Sequence, residues 1–95
     1  MDRIELLRPA DWHLHVRQGE AMRAVVPASA AVFAQALVMP NLKPRVTTTA
    51  AALAYREEIL AAARAAGGRA ASFVPWMTLY LTEATAPQEI DRAVD

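Results

Sequence analysis

Both histidines of this 95-residue chain lie in one heptapeptide, DWHLHVR, running from Asp11 to Arg17. They are one residue apart, and an arginine follows two places on. Imidazole nitrogen binds zinc at about 2.0–2.1 Å, and a guanidinium forks onto the two oxygens of a carboxylate. Residues two apart on a strand face the same way, roughly 6.5–7 Å apart along the backbone, so the rings of His13 and His15 can converge on one ion. Arg17 shares that parity if the strand continues. The chemistry so described is a metal held by two neutral nitrogens beside a fixed positive fork. The same spacing also suits a solvated strand face carrying two ordinary histidines and a free arginine, and spacing alone does not separate the two.

Other polar residues carry weaker signals. Asn41, in VMPN, would lie just past a second strand, where an amide can donate to a substrate carboxylate or carbonyl; Pro-Asn is equally ordinary turn chemistry. Lys43, the sole lysine, falls in the loop NLKPR rather than on a strand, which argues against a catalytic amine or a metal-bridging carbamate. Asp11 and Glu20 are expected in structural or hydrogen-bonding roles, and Trp12 and Trp76 in the core.

The elements that must position these residues alternate. DWHLHV reads as a strand, with Trp12, Leu14 and Val16 on one side, His13 and His15 on the other, and Gly19 ending it. Glu20 to about Val32 reads as a helix kinked or broken at Pro27. QALVMP is an unbroken apolar run closed by Pro40 and Asn41, as in a parallel strand covered on both faces. TTTAAALAYREEILAAARAAGG is the clearest helix, capped by threonine and stopped by Gly67-Gly68, with an apolar stripe of Leu53, Ile59, Leu60 and Ala63 that Arg56 must approach. A third strand is expected within ASFVPWMTLYL, bending or restarting at Pro75, and PQEIDRAVD opens a last helix on Pro87.

Strand-helix alternation predicts an α/β fold of parallel βα units. Three such units leave two open sheet edges, whereas eight in about 250 residues close a barrel with its active site on the carboxyl rim. There is no internal repeat or linker, so residues 1–95 are expected to be part of a single domain, the beginning of something longer.

Composition narrows the function. Ten basic and ten acidic residues balance, and the arginines are scattered, which excludes the basic stripe of a nucleic-acid binder. Cysteine is absent, so disulfides, thiol catalysis and thiolate metal sites are excluded and any metal would be held by nitrogen and oxygen. MDRIELLRP has no apolar signal region, and no stretch is long enough to span a membrane, so the cytoplasm is the default address.

Taken together, RPADWHLHVR, VVP, VMPNLKPRVTT, AYREEIL and MTLYLT resemble, in order and spacing, the amino-terminal part of bacterial dihydroorotases of the shorter, standalone type, members of the amidohydrolase superfamily. The resemblance implies a TIM-type (β/α)8 barrel, of which this chain holds the first three βα units, and a two-zinc centre that interconverts N-carbamoyl-L-aspartate and L-dihydroorotate in pyrimidine biosynthesis. His13 and His15 match ligands of the more buried zinc. Arg17 matches the arginine that binds the substrate carboxylate, Asn41 its asparagine partner, and the run His15-Val16-Arg17 lies against the substrate. Lys43 does not match the family's metal-bridging lysine. That lysine, the remaining histidine ligands and the proton-shuttling aspartate are expected beyond Asp95, leaving no catalytic residue within the chain. The resemblance also implies a homodimer. Two other readings stay open: a non-catalytic metal-binding or interaction module derived from an amidohydrolase barrel, and a different cyclic-amide hydrolase, which would share the histidines without needing Arg17 and Asn41.

Overall fold

The computed structural model describes residues 8–94. The amino-terminal segment read above for a signal, and Asp95, lie outside them. Three strands, β1 (Ala10–Leu14), β2 (Gln35–Val38) and β3 (Val74–Met77), form one parallel sheet in the order β1-β2-β3. Helices α1 (Gly19–Val32), α2 (Thr49–Ala66) and α3 (Pro87–Val94) follow the strands in turn. The expected alternation is present, with one unforeseen addition: a 3-10 turn at Gly68–Ser72 between α2 and β3.

The core fills the space between one sheet face and the helices. Met22, Val26 and Ala30 from α1 meet Ala36 and Val38 from β2, and Ala52, Tyr55, Ile59 and Ala63 from α2 close the layer. Spacings of three and four put each helical set on one stripe. The stripe of α2 is not the one expected from sequence. Ile59 and Ala63 belong to it, but Leu53 is exposed, and Tyr55 takes the place beside Ile59. The cap of α2 is as read: the Thr48 hydroxyl accepts the Ala51 N–H at 3.1 Å, and Gly67 follows the last turn with φ of 70°.

Two expectations about proline meet different outcomes. Helix α1 runs unbroken through Pro27. Burial of Val26 and Ala30 on either side holds it there, against an interior-proline cost of about 3 kcal/mol. Pro75 does lie inside β3, where Val74 donates to Ala34 at 3.0 Å on the β2 side. Alternation along the strand turns the donorless Pro75 nitrogen toward the open edge, the place a ladder tolerates it.

Neither tryptophan is in the core. Trp12 is 64% exposed and Trp76 53% exposed, on the sheet face opposite the helices, where the Trp76 indole donates to Gln35 Oε1 at 2.8 Å. Gln35 pairs in register with Val74 and Leu37 with Trp76, so this second face carries Gln35, Leu37, Val74 and Trp76 in two cross-strand pairs. Below the sheet, at its amino end, the Arg8 guanidinium donates to the carbonyls of Ala30 and Arg69 and to the Ser72 hydroxyl, tying α1 to the 3-10 turn.

Candidate metal and carboxylate site

The carboxyl ends of the three strands are stitched into one rim. Met39 N–H donates to the Leu14 carbonyl at 2.8 Å, the Thr78 hydroxyl to the Val38 carbonyl at 2.5 Å, and Tyr80 N–H to the Val46 carbonyl at 2.7 Å. The segments after β1 and β2 therefore leave the sheet side by side. Those segments carry His15 and Arg17, and Asn41.

His13 lies on β1 and His15 just beyond its end, and the ladder of β1 on β2 is irregular between them and the strand start. Asp11 pairs with Ala36 and Leu14 with Val38, so two residues, Trp12 and His13, stand opposite one, Leu37. Such a bulge re-aims the side chains around it. Asp11 supports it, its carboxylate accepting the His13 N–H at 3.0 Å, the hydrogen-bonding role expected of it. The two rings converge: Nε2 of His13 and Nε2 of His15 are 3.1 Å apart, with ring centroids at 5.0 Å.

That distance fits one shared ion. An ion about 2.05 Å from each nitrogen would see them roughly 98° apart, near the tetrahedral value of about 109°. Without an ion it fits a ring N–H donating to the other ring's bare nitrogen. Two ligands do not complete a catalytic zinc site, which takes at least three from protein. Among the described residues no cluster of three or more histidine, aspartate or glutamate side chains could hold a metal.

Arg17 reaches the rim by a different route from the one parity suggests. The strand ends at Leu14, so Arg17 does not continue its alternation; it takes a left-handed backbone with φ of 60°, and Gly19 repeats that value two residues on. Between β1 and this turn Val16 is 1% exposed and packs in the core, so only its main chain is available to a ligand. The Arg17 carbonyl accepts a 2.7 Å hydrogen bond from the hydroxyl of Tyr55, on α2. Desolvation raises that phenol to about 12, with the Glu58 carboxylate adding to the rise and Arg17 opposing it. Tyr55 is thus a neutral donor under ordinary conditions. The residue types did not single it out; the signal available was one aromatic on the buried stripe of an alanine-rich helix.

Asn41 is exposed on the loop after β2, in an open cleft of about 610 Å³ lined also by Lys43, Arg45, Thr47 and Thr82. Arg45 stacks over Tyr80, 4.5 Å from the ring centre. Lys43 sits in this loop and not on a strand, as expected.

No protein-family model matches the chain. Curated relatives do. A dihydroorotase of Azoarcus sp. (strain BH72) is 58% identical over 93 residues, 98% of this chain and 26% of that protein. One from Laribacter hongkongensis is 57% identical over 95 residues. Over nearly its whole length the chain is similar to dihydroorotases. It spans about a quarter of the length of the dihydroorotases it matches. The likeness extends to a plant mitochondrial dihydroorotase, from rice, at 55% identity over 98% of this chain. Among solved structures, the dihydroorotase of Campylobacter jejuni superposes with a TM-score of 0.80 at 32% identity, covering 93% of this chain and 25% of that one. Dihydroorotase from Saccharomyces cerevisiae, solved with 5-fluoroorotic acid, superposes with a TM-score of 0.75 at 28% identity, over 90% of this chain. The three βα units are therefore those of a dihydroorotase fold.

Proposed function

We propose that this chain supplies the first three βα units of a dihydroorotase barrel, residues 1–95 forming part of a single domain. The activity is reversible cyclisation of N-carbamoyl-L-aspartate to L-dihydroorotate. The observation that carries the reading is the 3.1 Å approach of the two Nε2 atoms on a strand-end rim, in a chain that matches dihydroorotases throughout.

In this reading His13 and His15 hold one of two zinc ions, joined by ligands from the rest of the barrel. Bound zinc supplies a Lewis acid that polarises an amide carbonyl and makes water available as a nucleophile near neutral pH. The chain's own residues bind and orient. Arg17 and Asn41, on adjacent segments of the rim, take the substrate carboxylate between them, the guanidinium through a two-pronged ion pair and the amide through its N–H donors. Fixing the carboxylate fixes the ring, which turns the bond to be cut or closed toward the histidines; the gain is in orientation. His15, Val16 and Arg17 form the wall against which the substrate lies, Val16 through its main chain. On this reading the enzyme works in the cytoplasm as a homodimer, in pyrimidine biosynthesis, on a small anionic substrate rather than on nucleic acid or membrane.

The test uses the protein expressed from its complete reading frame, whatever its length, assayed for ring opening of dihydroorotate. Chelation should abolish turnover and zinc should restore it, and His13→Ala or His15→Ala should prevent the restoration. Arg17→Gln should raise KM for dihydroorotate by about 10- to 100-fold, the range for a lost charge-assisted hydrogen bond. Turnover that survives both histidine substitutions would refute the metal assignment.

A further inference from the structure

We propose that Tyr55 is the positioning residue for Arg17: its hydroxyl, delivered from α2, holds the left-handed turn that aims the guanidinium at the carboxylate. The inference rests on the reading of Arg17 as the carboxylate anchor.

Three observations meet at this residue. The first is conformational. An arginine at φ of 60° is an uncommon backbone state, since a Cβ there crowds the following carbonyl, and it costs on the order of a tenfold population penalty without outside support. The second is the support. The Tyr55 hydroxyl reaches the Arg17 carbonyl at 2.7 Å, from a residue 38 positions away whose ring is 4% exposed. A buried phenol is a rigid strut, because packing fixes both of its torsions and leaves the hydroxyl one direction in which to donate.

The third observation is location. The Tyr55 ring borders a cavity of about 200 Å³ that is also lined by Gln18, Leu42, Pro44, Arg45 and Glu58. Tyr55 therefore stands between the segment that follows β1 and the loop that follows β2. These two segments carry Arg17 and Asn41, so one side chain of α2 braces the first of them where it faces the second. The raised phenol keeps the donor protonated throughout the range in which an amide hydrolase would work.

Tyr55→Phe removes the hydroxyl and keeps the ring. The test compares it with wild type, Arg17→Gln and the double variant, all expressed from the complete reading frame. Two readouts are taken. Carbon chemical shifts of Arg17 by NMR report the sign of its φ, independently of turnover; kcat and KM for dihydroorotate report function.

The expected result is loss of the left-handed signature at Arg17 in Tyr55→Phe, with KM up about fivefold and kcat within about twofold, as one hydrogen bond allows. The double variant should be no worse than Arg17→Gln alone, because a mispositioned arginine and an absent one fail in the same step. A Tyr55→Phe protein that is less heat-stable but retains the left-handed signature and the wild-type KM would overturn the inference and leave Tyr55 a packing residue. An Arg17→Gln protein with unchanged KM would instead overturn the carboxylate reading, while the NMR comparison would still decide whether Tyr55 sets the turn.

Discussion

Ile59→Ala and Leu53→Ala, both on α2, separate the face that packs from the face that does not. Ile59 is fully buried, among the largest side chains to be so, and lies between Tyr55 and Ala63. Truncating a buried isoleucine costs about 2–5 kcal/mol, the transfer of the lost methyl groups plus the cavity they leave; a site with no exposure at all belongs in the middle of that range, about 3–4 kcal/mol. In the protein expressed from its complete reading frame, Ile59→Ala should therefore lower the unfolding free energy by about 3–4 kcal/mol. Leu53 is 56% exposed, so Leu53→Ala should fall within about 0.5 kcal/mol of wild type. Urea unfolding followed by far-ultraviolet circular dichroism measures both. If Leu53→Ala costs as much as Ile59→Ala, α2 is rotated from the position described, and the bond from Tyr55 to Arg17 goes with it.

Two further predictions concern protons. Glu89 is held below the usual carboxylate range, first by the Thr49 hydroxyl at 2.9 Å and then by the Thr49 N–H at 3.2 Å, with Arg92 adding a smaller effect. A depressed acid stabilises above its unfolded value and loses that contribution as pH falls through the folded one. The protection factors of α3 amides, taken relative to intrinsic exchange at each pH, should therefore fall below about pH 4.5, and Glu89→Gln should flatten the dependence; protection in α3 that is constant down to pH 3 would contradict it. Tyr55 has the opposite sign: its contribution is complete below about pH 10 and is lost as pH rises toward about 12. The Tyr55 phenol, assigned by the NMR signal of ring-labelled tyrosine that is lost in Tyr55→Phe, should ionise with a midpoint near 12 while folded and near 10 in denaturant. A folded midpoint near 10 would show the ring to be solvated.

Much of the frame was legible from residue patterns because each pattern has one physical cause. The unbroken apolar run QALV needs cover on both faces. Thr48 and Gly67 bracket α2 because one caps its first turn and the other admits a positive φ. The pairing of His13 with His15 was legible for the same reason, as two like residues at strand spacing. What pattern did not show was set by long-range contact. Pro27 reads as a break until its neighbours Val26 and Ala30 are seen to be buried. Leu53 reads as core until Tyr55, two residues on and across the helix, takes the packed position.

Arg17 is the instructive case, since the strand whose parity was to carry it ends three residues before it. Parity put it on the histidine side by extending the strand three residues past Leu14. The chain instead bulges at Trp12 and His13, leaves the ladder, buries Val16 and turns left-handed at Arg17. Each of those departures cancels part of the alternation rule, and the rule cannot register that they have done so. The bulge breaks the parity that paired Trp12 with Leu14, which is why Trp12 faces away from the core while Leu14 packs against it. The turn then needs a donor from outside the segment, and a local reading of DWHLHVR contains none. That donor sits on α2, 38 residues later, so the backbone geometry at Arg17 is a property of two βα units packed together and not of the heptapeptide that displays it.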